Sequence, residues 1–147
     1  MRRAASESKS GDGDVPEVTA KQIEVMGSRW AGRRVRMSNC YFLGVDTWFV
    51  EYLEDALADD PPPGGVQPEP EPEGWVGFYF DDQRGDVVQY GYAAMERFGD
   101  QIVALKRGSR IRVAGVVVRM IGPLGDVVYG LVCDEVTAER KTSKPQR

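Results

Sequence analysis

No histidine occurs among the 147 residues, so the commonest general base and the commonest zinc ligand are both missing. Catalysis has few residues to rest on. Only two cysteines are present, Cys40 and Cys133, and both fall inside apolar, strand-like runs without metal-ligand spacing, which predicts buried free thiols. The chain has no apolar run approaching the ~18 residues of a membrane span, and no charged start followed by an apolar stretch. Neither a membrane nor a secretory signal is expected, which makes the default address cytoplasmic. Phosphate-cradling glycine loops, nucleophile elbows and metal-binding pairs of known spacing are also missing. The carboxylate clusters, Asp59 with Asp60 and Asp81 with Asp82 and Asp86, sit in turn-like or proline-rich sequence where solvation explains them. No enzyme, cofactor or metal site is therefore expected.

A surplus of positive charge is lacking as well, since the formal net charge is −4. The charge is unevenly divided. Residues 54–74 hold seven acidic and no basic side chains, residues 140–147 hold four basic and no acidic ones, and the remainder from residue 28 to residue 139 carries eleven of each sign. An acidic insertion and a basic tail thus flank a neutral body.

Residues 1–27 are poor in large apolar side chains and read as a mostly disordered arm, with a short helix possible from Thr19 to Met26, capped by Thr19 and presenting Ile23 and Met26 on one side. A strand follows at 33–43, in which Val35, Met37, Asn39 and Tyr41 share one face and Arg34, Arg36, Ser38 and Cys40 the other. Asp46 to Ala58 fits two patterns. Trp48 with Tyr52, and Phe49 with Leu53 and Leu57, have helical spacing, whereas Thr47 to Val50 has β-favouring composition, which tips its first half toward strand. Asp59 to Gly74 has six prolines and alternating Pro-Glu, predicting a solvated, extended loop.

Residues 75–81 and 87–93 read as a hairpin, with Val76, Phe78 and Phe80 on one face and Trp75, Gly77 and Tyr79 on the other. Within its turn, Arg84-Gly85-Asp86 matches an adhesion tripeptide, but turn chemistry alone accounts for the Gly and Asp. Met95, Phe98, Ile102 and Leu105 then recur at helical spacing. Gly99 interrupts them, which moves the predicted helix to 100–106 with Asp100 as its cap.

Two long strands follow, at 110–121 and 127–136, joined by a turn at Gly122 to Asp126. In the first, Ile111, Val113, Gly115 and Val117 alternate with Arg110, Arg112, Ala114 and Val116. In the second, Val128, Gly130, Val132 and Val136 alternate with Tyr129, Leu131 and Cys133. Apolar residues on both faces imply a strand covered on both sides.

The run LKRGSRIRVAGVV, Leu105 to Val117, resembles the helix-to-fourth-strand junction of OB-fold proteins, particularly nucleic-acid-binding modules of the tRNA-anticodon type. Trp30, Gly32, Val35 and Met37 are similar to the opening of the first OB strand, with Ser38 standing where that family usually has glycine. The resemblance covers roughly Trp30 to Glu139 and implies an all-β fold with one short helix. The expected architecture is a five-stranded, partly open Greek-key barrel at 28–139, with residues 46–74 inserted between strands one and two and a flexible basic tail at 140–147.

Such barrels commonly bind single-stranded DNA or RNA on the outer surface of strands two and three, by aromatic stacking and basic contacts. The resemblance therefore nominates Trp75 and Tyr79 on strand two, Arg84 at the hairpin tip and Arg119 near the loop between strands four and five. A second basic strip would combine Arg34 and Arg36 of strand one with Arg110 and Arg112 of strand four. The competing reading has Trp75 and Tyr79 packing on the 46–58 segment and the arginines simply solvated. It leaves a module that binds another protein or serves as structure; the neutral body with its acidic insertion leans that way, while the resemblance keeps weak single-stranded nucleic-acid binding as the first expectation.

Overall fold

The computed structural model describes residues 15–45, 53, 56–57, 74–82, 87–122 and 124–139. The acidic insertion from Asp59 to Glu73, the hairpin tip at Arg84 to Asp86 and the tail beyond Glu139 lie outside these residues. The elements that the described residues delimit are α1 (Ala20–Trp30), β1 (Arg34–Val45), β2 (Trp75–Asp81), β3 (Val88–Ala94), α2 (Met95–Ala104), β4 (Arg110–Ile121) and β5 (Val127–Ala138). The strands close into a barrel in the order β1-β2-β3-β5-β4. All neighbours are antiparallel except β3 and β5, whose parallel pairing spans only Tyr90–Ala93 against Gly130–Cys133. The all-β barrel read from the sequence is thus present, together with the short N-terminal helix that the Thr19 to Met26 pattern allowed. Among the described residues no helix is long and apolar enough to cross a membrane.

The interior follows from alternation along the strands. Val35, Met37, Phe78, Phe80, Ile111, Val113, Val117 and Leu131 are buried together at the centre. Gly91 lies under the Phe78 ring, where an added Cβ would stand 2.6 Å from Cζ, so the absent side chain makes room for the aromatic one.

Two bulges alter the predicted faces. In β1 the register against β4 slips between Met37 and Cys40, and Asn39 takes a left-handed backbone at φ 59°, a region Asn tolerates better than most residues. Alternation restarts one residue later. Cys40 and Phe42 therefore join Val35 and Met37 in the core, while Asn39 is exposed and Tyr41 half-buried, the reverse of the expected faces. In β5 the register slips opposite Ala114 and Gly115, so Val136 points inward with Leu131 and Cys133 while Val132 faces outward.

The helix α1 carries the predicted cap. The Gln22 amide donates to Thr19 Oγ1 (3.1 Å) and the Thr19 amide to Gln22 Oε1 (2.9 Å), a capping box. Ile23 is 1% exposed and Gly27 lies against the Tyr129 ring, so α1 docks on the barrel. Ahead of it, Val18 donates to the Arg36 carbonyl and Arg36 to that of Pro16. The arm predicted to be mostly disordered is hence folded from Val15 onward, because the buried Val18, Ala20 and Ile23 supply the apolar contact that offsets its ordering.

The second helix begins at Met95, directly after β3, and not at Asp100. Gly99 lies within it, and the Met95 amide donates to the Gly74 carbonyl (3.1 Å), satisfying one of the donors exposed at a helix start. Burial of Ile102, with Phe98 and Leu105 against the core, outweighs the roughly 1 kcal/mol cost of the interior glycine.

Candidate binding surface

The predicted arginine strip is assembled by β1 and β4, which pair Arg34 with Val116 and Arg36 with Ala114. It is not, however, bare. The Arg34 guanidinium donates from Nε and Nη2 to the two carboxylate oxygens of Asp134, at 2.9 and 2.8 Å. Arg112 Nε lies 3.4 Å from Glu135 Oε2, and Arg110 Nε lies 3.4 Å from Glu139 Oε1. Arg110 Nη2 also donates to Asn39 Oδ1 at 2.7 Å. Arg36 is half-buried, with its backbone held by residues 16–18.

The bulge in β5 produces this neutralisation. Because Asp134 is the extra residue opposite Ala114 and Gly115, it and Glu135 both project to the outer face, where strict alternation would have turned one inward. Two successive carboxylates are thus aimed at a face that carries the arginines of β1 and β4. The signal was in the sequence, as the consecutive polar pair Asp134-Glu135 between the apolar Cys133 and Val136.

The aromatic candidates separate. Trp75 is 6% exposed and belongs to a second, outer cluster with Leu53, Tyr92, Val118, Met120 and Val132, bordered by Ala56, Leu57, Tyr90 and Val128. Leu53, Ala56 and Leu57 are helical, whereas the β-favouring residues 46–50 lie outside the described residues. Trp75 therefore packs in one cluster with Leu53 and is almost wholly withdrawn from solvent. The Tyr92 hydroxyl donates to Met120 Sδ at 3.5 Å inside this cluster. Tyr79 is half-buried on β2, paired with Tyr90 of β3 and with Gly44 of β1, its ring beside the glycine. Arg119 is exposed on β4, opposite Tyr129 and beyond the stretch of β4 that pairs with β1, so it stands apart from the strip. Arg84 falls outside the described residues.

Neither thiol is poised for chemistry. Burial, with repulsion from Asp82, Glu17, Glu139 and Asp81, pushes Cys40 up to about 12, and burial raises Cys133 further. Asp81, at the end of β2, has a carboxyl held above its usual range by desolvation and by neighbouring Asp82, and its Oδ1 lacks a hydrogen-bond partner. Among the described residues no group of three His, Cys, Asp or Glu side chains is arranged to hold a metal.

Sequence reading missed a cleft of about 250 Å³ at the seam of the barrel, lined by Glu24 of α1, Val88, Gln89 and Tyr90 of β3, and Asp126 to Tyr129 at the start of β5. It lies where β3 and β5 diverge, below the four positions that pair. The buried Gln89 crosses it, donating from Nε2 to the Tyr129 carbonyl at 2.5 Å.

No family model and no curated protein sequence matches the chain. Among solved structures, the OBody AM1L10, bound to hen egg-white lysozyme, is similar with a TM-score of 0.50 and 10% identity, over 85% of this chain and 92% of the OBody chain. At such identity the likeness is one of fold. Together with the ring order, the parallel β3–β5 pairing and a helix between β3 and β4, it makes this chain an OB-like barrel.

Proposed function

We propose that the chain is a non-catalytic binding module whose partner is another protein. The observation carrying this reading is the engagement of Arg34, Arg110 and Arg112 by Asp134, Glu139 and Glu135, which leaves the β1–β4 face without the surplus of positive charge that phosphate binding uses. Burial of Trp75 under the Leu53 segment removes the main stacking platform from the β2–β3 face. A non-catalytic role is supported by the lack of histidine and by two thiols held in their protonated, weakly nucleophilic form.

A second reading, a single-stranded nucleic-acid module of the tRNA-anticodon type, retains one favourable feature, the half-buried Tyr79 beside Tyr90 on the outer face of strands two and three. Titration of labelled oligo-dT and oligo-U, followed by anisotropy at low and at physiological salt, separates the two. The protein-binding reading expects no saturable oligonucleotide binding under either condition. Saturable binding that Tyr79→Ala weakens by about 1–3 kcal/mol, the scale of base stacking on an aromatic ring, would establish the nucleic-acid reading instead.

A further inference from the structure

At the barrel seam, two short strand edges face each other across the cleft. On one side of the cleft, Val88 and Gln89 pair only with Asp81 and Phe80 of β2; on the other, Val127, Val128 and Tyr129 pair only with Ile121, Met120 and Arg119 of β4. Their facing edges hold no described ladder, because the β3–β5 pairing starts at Tyr90 and Gly130. An unpaired strand edge is a template for an added strand. The lips are apolar and exposed, Val88 at 48% and Val127 at 44%, with Ile121, paired to Val127, at 48%. Among the described residues the charged ones that line the cleft are both acidic, Glu24 and Asp126.

We propose that this wedge docks an extended, basic segment of a partner protein. The segment's backbone pairs with the edge at Val127 and Val128, short of the Tyr129 carbonyl that Gln89 Nε2 already engages. An aliphatic side chain settles among Val88, Val127 and Val128, and a lysine or arginine beside it meets Glu24 and Asp126. The acidic pair gives the site its sign: a segment bearing carboxylates at the same positions is repelled, which is how specificity is built against wrong partners. The site deepens the protein-binding reading and rests on it.

The test uses the full chain and three labelled probes: a short peptide alternating lysine and valine, its glutamate-valine counterpart, and the lysine-valine peptide with alternate backbone amides N-methylated. The lysine-valine peptide should bind saturably and more weakly as salt rises. Glu24→Gln with Asp126→Asn should lower its affinity about five- to tenfold, as loss of two exposed charge pairs allows. Val127→Arg, an exposed position, should abolish binding while thermal unfolding shows the barrel intact. The glutamate peptide and the N-methylated peptide should not bind. Binding of the lysine-valine peptide that none of these substitutions alters, or that survives N-methylation, overturns the seam as the site yet leaves a protein-binding chain. No peptide binding at all overturns the site, and if oligo-dT or oligo-U then binds saturably the protein-binding reading falls with it.

Discussion

Asn39 shows how one residue redirects a strand. Its left-handed backbone absorbs the extra residue in β1, and every side chain after it changes face, so Cys40 is delivered to the core. Burial there has a chemical consequence. Burial pushes Cys40 up to about 12 and raises Cys133 as well, so both thiols are protonated at neutral pH and should resist maleimide while folded and react fully after denaturation. The linkage has a definite sign: the thiols' native values are raised, so the unfolded chain loses its thiol protons first, near pH 9, and stability is lost as pH rises beyond that point. The Cys40→Ala, Cys133→Ala double variant should show a shallower decline in melting temperature above pH ~9 than the parent.

Asp81 gives a test of the same sign within the acidic range. Its carboxyl is raised, chiefly by desolvation and next by Asp82, so its contribution to stability is present below the ordinary carboxylate pKa and lost as pH rises through the native value. Asp81→Asn should therefore raise the melting temperature at neutral pH, and the gain should shrink as pH approaches ~4. An equal gain at both values would mean that the substitution acts through something other than the charge.

At the scale of elements, glycines with the same composition signal have opposite roles. An added Cβ at Gly115 would lie 2.0 Å from the Val132 carbonyl oxygen and 2.6 Å from Cys133 Cα, both backbone atoms, at the point where the β4–β5 register slips. The strands cannot yield without separating. At Gly99 the same atom would meet only the Met95 side chain, at 3.4 Å. Gly115→Ala should accordingly cost about 1–3 kcal/mol or more, whereas Gly99→Ala should stabilise α2 by up to about 1 kcal/mol. Urea unfolding of the two variants against the parent measures both. In sequence, Gly115 stands only as one member of the apolar alternation, and the backbone that crowds it belongs to β5. The reading of Gly99 as a break that delays the helix fails because local propensity is weak beside the burial of Ile102.

At the scale of the molecule, the protein has an inner core and an outer one. The outer cluster explains why the two long strands are apolar on both faces: Val118, Met120 and Val132 are covered by Leu53, with Trp75 and Tyr92 beside them. A Trp75→Ala substitution should thus destabilise the barrel by about 3–5 kcal/mol, the scale of a buried large-to-small change, as read by chemical denaturation. Leu53→Ala should cost about 2–5 kcal/mol, and the double variant should lose less than the sum, because both residues shape one cluster. A stacking platform facing solvent would instead tolerate loss of Trp75 with little change in stability.

The sequence by itself determined the strand positions, since β2 and β4 occur at the residues that alternation marked and β1, β3 and β5 differ by one or two at their ends. Period-two burial is a local property of the chain, visible without knowing the partner strand. It also determined the Thr19 cap, which needs only Gln22 three residues on. The tertiary structure alone decided which face each strand presents beyond its bulge, because a register slip is set by the strand opposite. It likewise decided that the arginines of β1 and β4 meet the carboxylates of β5, and that β3 and β5 part below Tyr90 to leave a cleft. These contacts join residues as far apart as Arg34 and Asp134, and their geometry depends on closing the ring, which no local window of sequence contains.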